Sequence, residues 1–259
     1  MFCEGKEEKS LDQELLRAWF NDRNTALIPV GGCENVKRCA AAFQTSTVVS
    51  GFVAEGIIDR DHWPDEILNS IPTVHVLPVH EVESLFVLKP VYAAIASHLG
   101  RGAQVEALYE TLLSGFKKQM TGTIATKLIC ERYKARSMML LERGFSTQSD
   151  FHDRSMLRAE MICQLPQTRA VLHPGELWDE EQSRVDAALA SDDSVHFLKV
   201  LPGKPLVGPA ASSLGITKER YCELIKVALT SNEAAFAAFR SALESALDSY
   251  LPPRHFVPK

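Results

Sequence analysis

Residues 48–68 read VVSGFVAEGIIDRDHWPDEIL. The run up to Ile57-Ile58 is apolar enough for a sheet core, and it stops abruptly at Asp59, Arg60 and Asp61. Alternate side chains of a strand share a face. If extended backbone continues through position 61, Asp59 and Asp61 point together and Arg60 points away. Two like charges at a strand end repel unless a cation lies between them. The other reading open at this stage is a polar turn, with Asp61 capping a helix that Pro64 begins.

Working outward, the first ~90 residues alternate strand and helix patterns. Residues 10–21 place Leu11, Leu15, Leu16, Trp19 and Phe20 at helical spacing. TALIPV (25–30) reads as a short strand closed by Gly31-Gly32, and ENVKRCAAAF (34–43) as a helix. After the quoted stretch, WPDEILNSI reads as a helix and TVHVLPV (73–79) as a strand. Such alternation with short connections predicts a mostly parallel sheet covered on both faces, whose functional groups collect at the carboxyl ends of the strands. Glu4, Gly31-Gly32, Asp59/Asp61 and His80–Glu83 all fall there. The Gly31-Gly32 pair reads equally well as a helix-start turn that needs positive φ.

Beyond Ser84 the pattern turns helical. ALYETLLSGFKKQM, ATKLICERYKARSMMLLE, ITKERYCELIKVAL and SNEAAFAAFRSALESALDSYL carry helical periods, and Thr217 is a plausible N-cap. The expected division is therefore a core over residues 1–90 and a mainly helical region over 91–259. HFLKVL suggests a returning strand near 195–201 within that region.

The chain has 259 residues, 46% hydrophobic and 24% charged, with a formal net charge of −5. That balance gives no overall basic field for nucleic acid or an anionic membrane, so a polyanion would have to be held by local patches or metal ions. The six cysteines form no CxxC pair and no cysteine–histidine group with zinc spacing, which fits reduced core residues and a cytoplasmic location. No segment reads as a membrane span or signal peptide. There is no GxSxG elbow and no GxxxxGK[ST] loop, against an α/β-hydrolase and against ATP hydrolysis by this chain.

The acidic positions form an ordered set: Glu4 and Glu8, Asp59 and Asp61, Glu81 and Glu83. Glu4 and Glu8, four apart, can reach one ion if a helix follows the first strand closely. A solvated first-turn glutamate is the alternative for Glu8. Magnesium and manganese take oxygen ligands, and two ions about 4 Å apart clamp a phosphodiester during hydrolysis. The basic set Lys117, Lys118, Lys127, Arg132, Lys134 and Arg136, with Tyr133 among them, reads either as a solvated helix face or as a guide for a phosphate backbone. The histidines are scattered, and a strand-end residue such as His80 is more often structural than chemical.

The order EGKEEK, IIDRD, LPVHEVESLF resembles the TOPRIM fold, with a Glu-Gly after the first strand and an Asp-x-Asp after the third. The likeness is to TOPRIM nucleases related to the OLD family, above all the effector subunit of PARIS-type phage-defence systems. It covers about residues 1–90, and LPGKPLVGPAASSLG (201–215) is similar to the Gly-Lys segment that follows their helical insertion. The resemblance implies a TOPRIM-like α/β core with an appended or inserted helical region, and one or two Mg2+ or Mn2+ ions. It implies metal ligation by Glu4, Glu8, Asp59, Asp61 and Glu83, with Glu4 also able to act as general base, and Glu81 as a lesser helper. Lys204 would stabilise the pentavalent phosphate or the leaving oxygen, or else is a turn lysine between Gly203 and Pro205.

The activity implied is RNA or DNA cleavage under the control of an ABC-type ATPase partner, with a homodimer possible. The alternatives are a docking subunit with a degenerate acidic edge and a small-molecule phosphatase. One departure stands out. Only Met1, Phe2 and Cys3 precede Glu4, so the expected first strand is either very short or begun late.

Overall fold

In a computed structural model, residues 1–5, 11–21, 25–45, 53–63, 73–144 and 173–253 are described. Glu8 and the expected helix over 64–71 lie outside them. Four short strands, β1 (Phe2–Cys3), β2 (Ile28–Pro29), β3 (Gly56–Ile58) and β4 (Val74–Val76), form one sheet of order β2-β1-β3-β4. All pairings are parallel: Cys3 faces Pro29 on one side and Ile57 on the other, and Ile57 also faces His75. The strand before Glu4 is therefore two residues long yet paired on both edges. Its N-terminal ammonium is held by the Ala26 carbonyl at 2.9 Å. Beyond Glu4 the β1–β2 edge continues as a reciprocal bridge, Gly5 N–H to Gly31 O at 2.8 Å and Gly31 N–H to Gly5 O at 2.9 Å. Both glycines have positive φ (105° and 97°), which a side chain would strain. This bridge holds Glu4 at the carboxyl edge.

Helix α1 (Leu11–Trp19) buries Leu15, Leu16, Ala18 and Trp19 along one stripe, as its spacing requires. Its Trp19 donates an indole N–H to the Pro252 carbonyl at 2.9 Å, tying the first helix to the far end of the chain. Helix α2 (Cys33–Thr45) packs on the sheet through Val36 and Ala40, which share a small core with Phe2 and Ile58. The helices that follow β4 are α3 (Val82–Leu85), α4 (Lys89–His98), α5 (Val105–Gln119), α6 (Thr123–Gly144), α7 (Pro174–Ala190), α8 (Ser194–Val200), α9 (Lys204–Ser213), α10 (Lys218–Thr230) and α11 (Ala237–Leu247). Proline in the first turn starts α4, α7 and α9. Thr217 caps α10, its hydroxyl accepting from Arg220 N–H at 3.2 Å.

One continuous core runs from Cys3 and Ile57 through α1, α3 and α4 into α5, α8, α9, α10 and α11. The coarse class is α/β, a parallel sheet flanked by helices. The segment expected as a returning strand near 195–201 is helix α8. Asp193 accepts from Val195 N–H at 2.9 Å, which starts a helix, and burial of Phe197, Leu198 and Val200 suits helix spacing as well as strand alternation. Short apolar runs cannot be separated by periodicity alone. Among the described residues, no helix is long and apolar enough to cross a membrane.

Candidate functional site

The carboxyl ends of β1, β3 and β4 bring Glu4, Asp59, Asp61, Glu81 and Glu83 to one edge. Glu4 follows β1 and Asp59 follows β3, and because the strands are neighbours, Asp59 N–H donates to Glu4 Oε1 at 3.1 Å. Asp59 in turn accepts the Val82 N–H at the start of α3, 2.9 Å from its Oδ1. Asp61 does not continue an extended strand. Its φ is 46°, a left-handed turn, and its N–H bonds to the His80 carbonyl at 2.7 Å. The alternation that made Asp59 and Asp61 point together therefore does not apply. Asp61 still lies within the electrostatic reach of Glu4 and Asp59.

Glu83 sits in the first turn of α3, not on a strand. It is 3% exposed, and the Lys204 ammonium reaches its Oε1 at 2.6 Å. Glu81 accepts the Lys204 backbone N–H at 2.7 Å and so closes the start of α9. Lys204 thus touches both glutamates, one through its ammonium and one through its main chain. It can do so because Gly203 presses against Ser84. A Cβ at 203 would stand 2.4 Å from Ser84 Cα, and the Gly203 N–H bonds to Ser84 Oγ at 3.2 Å.

Sequence reasoning missed Asp12. It lies in the first turn of α1, where an acid is ordinary dipole compensation, so nothing in its context marks it. It meets Glu83 in a carboxyl–carboxylate pair. Burial, then the bond to Glu83, pushes Asp12 up to about 7. Burial works to raise Glu83 as well, but Asp12 and Lys204 together hold it below the ordinary glutamate range. Of the pair, Asp12 is the carboxyl pushed up and Glu83 the one held down.

The remaining acids are raised. Burial takes Glu4 to about 7 against the pull of the Asp59 N–H, with Asp61 adding repulsion. Asp59 stands well above its usual range, through burial first and then the charges of Glu4, Asp61, Asp12 and Glu83. Asp61 is raised by burial and by Glu83. Beside this edge, burial pushes His62 down to about 4 and His80 down to about 3, with Arg132 adding to both and Arg60 to His80.

No protein-family model, curated protein or solved structure matches this chain.

The donor set suits a hard divalent cation chemically. It offers oxygen only, and Glu4, Asp59 and Asp61 are raised by burial and mutual repulsion that a cation would relieve. Among the described residues no three such side chains already converge as a ready ligand group. One oxygen of Glu4, of Asp59, of Glu81 and of Glu83 is engaged by a protein donor.

The basic set on α5 and α6 divides. Arg132 is 4% exposed and binds Glu181 at 2.8 Å, and Arg136 binds Glu180 and Glu181 at 2.6 and 3.0 Å. Tyr133 packs against the Trp178 ring. These are packing and ion-pair residues between α6 and α7, so the expected guide loses its centre. Lys117 and Lys127 pair with Asp192 and Glu131 at 3.6 and 3.8 Å.

Proposed function

We propose that this chain is a divalent-metal-dependent phosphodiesterase of the TOPRIM type, cutting RNA or DNA. The observation that carries this reading is the pairing of Glu4 with Asp59 across adjacent parallel strands, with Asp61, Glu83 and Lys204 on the same edge. Glu4, Asp59 and Asp61 would hold the ion, with Glu83 as a further acid. A bound Mg2+ or Mn2+ supplies an activated water and stabilises the leaving oxygen. Glu4 would ligate the ion or act as general base. Lys204 brings a positive charge to the edge for the charge that develops on phosphate. The resemblance to PARIS-type proteins supports a cytoplasmic toxic effector, held in check by an ABC-type ATPase, as its setting.

A second reading has a specific observation behind it. Glu81 and Glu83 are both engaged by Lys204, as in a docking subunit whose acidic edge is a structural remnant. Thermal melts with and without Mn2+, alongside incubation with plasmid DNA and total RNA, separate the two. The nuclease reading expects a Mn2+-dependent rise in melting temperature and polynucleotide cleavage, both lost in Asp59→Ala. A wild-type protein that neither shifts nor cleaves refutes it in favour of docking.

A further inference from the structure

The acidic edge has a neighbour of opposite character. His80 is 6% exposed, and its backbone is pinned on both sides: its N–H bonds to Leu198 O at 2.7 Å and its carbonyl accepts from Asp61 N–H at 2.7 Å. Its ring is not satisfied. Neither Nδ1 nor Nε2 finds a hydrogen-bond partner, and Nδ1 of His62 is likewise buried without one. The two rings meet edge to face, centroids 5.0 Å apart at 73°. Any protonation state of imidazole carries at least one N–H, so His80 holds a buried donor with nothing to receive it. Buried polar groups are otherwise almost always paired.

The surroundings select what could receive it. Arg132 and Arg60 act on His80, and Arg132, Glu131 and Glu181 on His62. Glu181 meets Arg132, Arg136 and Arg184 at 2.8, 3.0 and 3.6 Å, and Arg136 also meets Glu180 at 2.6 Å, so three guanidiniums face two carboxylates there. Lys199, next to the Leu198 that anchors His80, lies in the field of Arg60 and Arg184. A dication would be repelled here, whereas an anionic oxygen would meet an N–H donor in a positive field.

We propose that His62 and His80 form a phosphoryl-binding subsite beside the acidic edge, where imidazole N–H groups hold a substrate phosphate adjacent to the one presented to Glu4, Asp59 and Asp61. The identity of the carrier as a polynucleotide rests on the phosphodiesterase reading. The assignment of an anion to the histidine pair does not.

The test measures binding of a fluorescent single-stranded oligonucleotide by anisotropy in EDTA, where no metal takes part. His80→Leu, which removes the donor, should weaken binding about tenfold or more, while His80→Gln, which keeps an N–H, should stay near wild type. His62→Phe keeps the ring contact and loses the nitrogen, so it decides the matter should His80→Leu not fold. Orthophosphate and a mononucleotide serve as competitors. The proposal expects each to bind more weakly than the oligonucleotide, and equal affinity for orthophosphate would overturn the polynucleotide assignment. Unchanged oligonucleotide binding by folded His80→Leu and His62→Phe overturns the subsite, as does a Zn2+-induced change in the imidazole NMR resonances that phosphate fails to produce. Loss of binding in His80→Leu without metal-dependent cleavage by wild type would sink the nuclease reading alone. Cleavage by wild type with undiminished binding by the variants would sink the subsite alone.

Discussion

Glu4→Gln offers the sharpest probe of the acidic edge. The amide oxygen can still accept the Asp59 N–H that Glu4 Oε1 receives at 3.1 Å, so the substitution removes ionisation and keeps the hydrogen bond. Moving a carboxyl from 4.5 to about 7 corresponds to roughly 3 kcal/mol. Partial solvent contact screens this to about 2 kcal/mol. The sign follows from proton counting. Between pH 4.5 and 7 the native protein keeps a proton that the unfolded chain has released, so native stability from this group is full below 4.5 and falls as pH rises to 7.

Urea unfolding in EDTA should therefore find Glu4→Gln equal to wild type near pH 4.5 and about 2 kcal/mol more stable at pH 8. The comparison must be the difference between the two proteins. Asp12 drifts the same way as Glu4, whereas His62 and His80, held low, gain stability as pH rises through the histidine range. Those contributions cancel in the difference. Mn2+ at a hundredfold excess over its dissociation constant should restore about 2.7 kcal/mol to wild type, and much less to the variant. A difference that stays constant from pH 4.5 to 8 would refute the burial of Glu4 as an uncompensated acid.

Two other substitutions test the scaffold around the edge. Gly203→Ala must move the start of α9 away from Ser84, whose Cα would lie 2.4 Å from the new Cβ; urea unfolding should show a loss of about 1–3 kcal/mol, and wild-type stability would contradict the close approach. Glu181→Ala leaves Arg132 buried without its 2.8 Å partner and should cost about 3–5 kcal/mol by the same measurement, a cost under 1 kcal/mol contradicting the pairing.

The sheet was legible because alternation of apolar runs with helical periods is a strong signal, and because Gly31, Asp59 and His80 punctuate the strand ends. Glu4, Asp59 and Asp61 could be predicted together from that logic alone. What could not be read was the route by which they meet. Asp61 reaches the edge through a left-handed turn, and Glu83 through a helix of four residues, neither of which alternation describes. Asp12 looked like a first-turn helix acid, and only the packing of α1 against α3 reveals its partner. Arg132 looked like a surface cation because sequence gives no sign of Glu181, 49 residues on, buried beside it. HFLKVL failed for a simpler reason: six apolar-rich residues fit either period, and the Asp193 cap decided for helix.

The charges of the edge fall into two sets with different needs. Glu81 and Glu83 already have protein donors, the Lys204 N–H on Glu81 and both Asp12 and the Lys204 ammonium on Glu83. Glu4 and Asp59 have backbone N–H donors, but none of Glu4, Asp59 and Asp61 has an ammonium or guanidinium partner at salt-bridge distance among the described residues. Lys37, a cation that acts on Glu4, is itself drawn to Glu34 at 2.7 Å and lies over the Trp63 ring. A divalent cation would therefore gain most at Glu4, Asp59 and Asp61, where relief of repulsion adds to ligation. At Glu83 it would have to displace an ammonium 2.6 Å away. On the proposed reading, Lys204 takes the place of a second ion at Glu83, so that a single Mg2+ or Mn2+ would serve Glu4, Asp59 and Asp61.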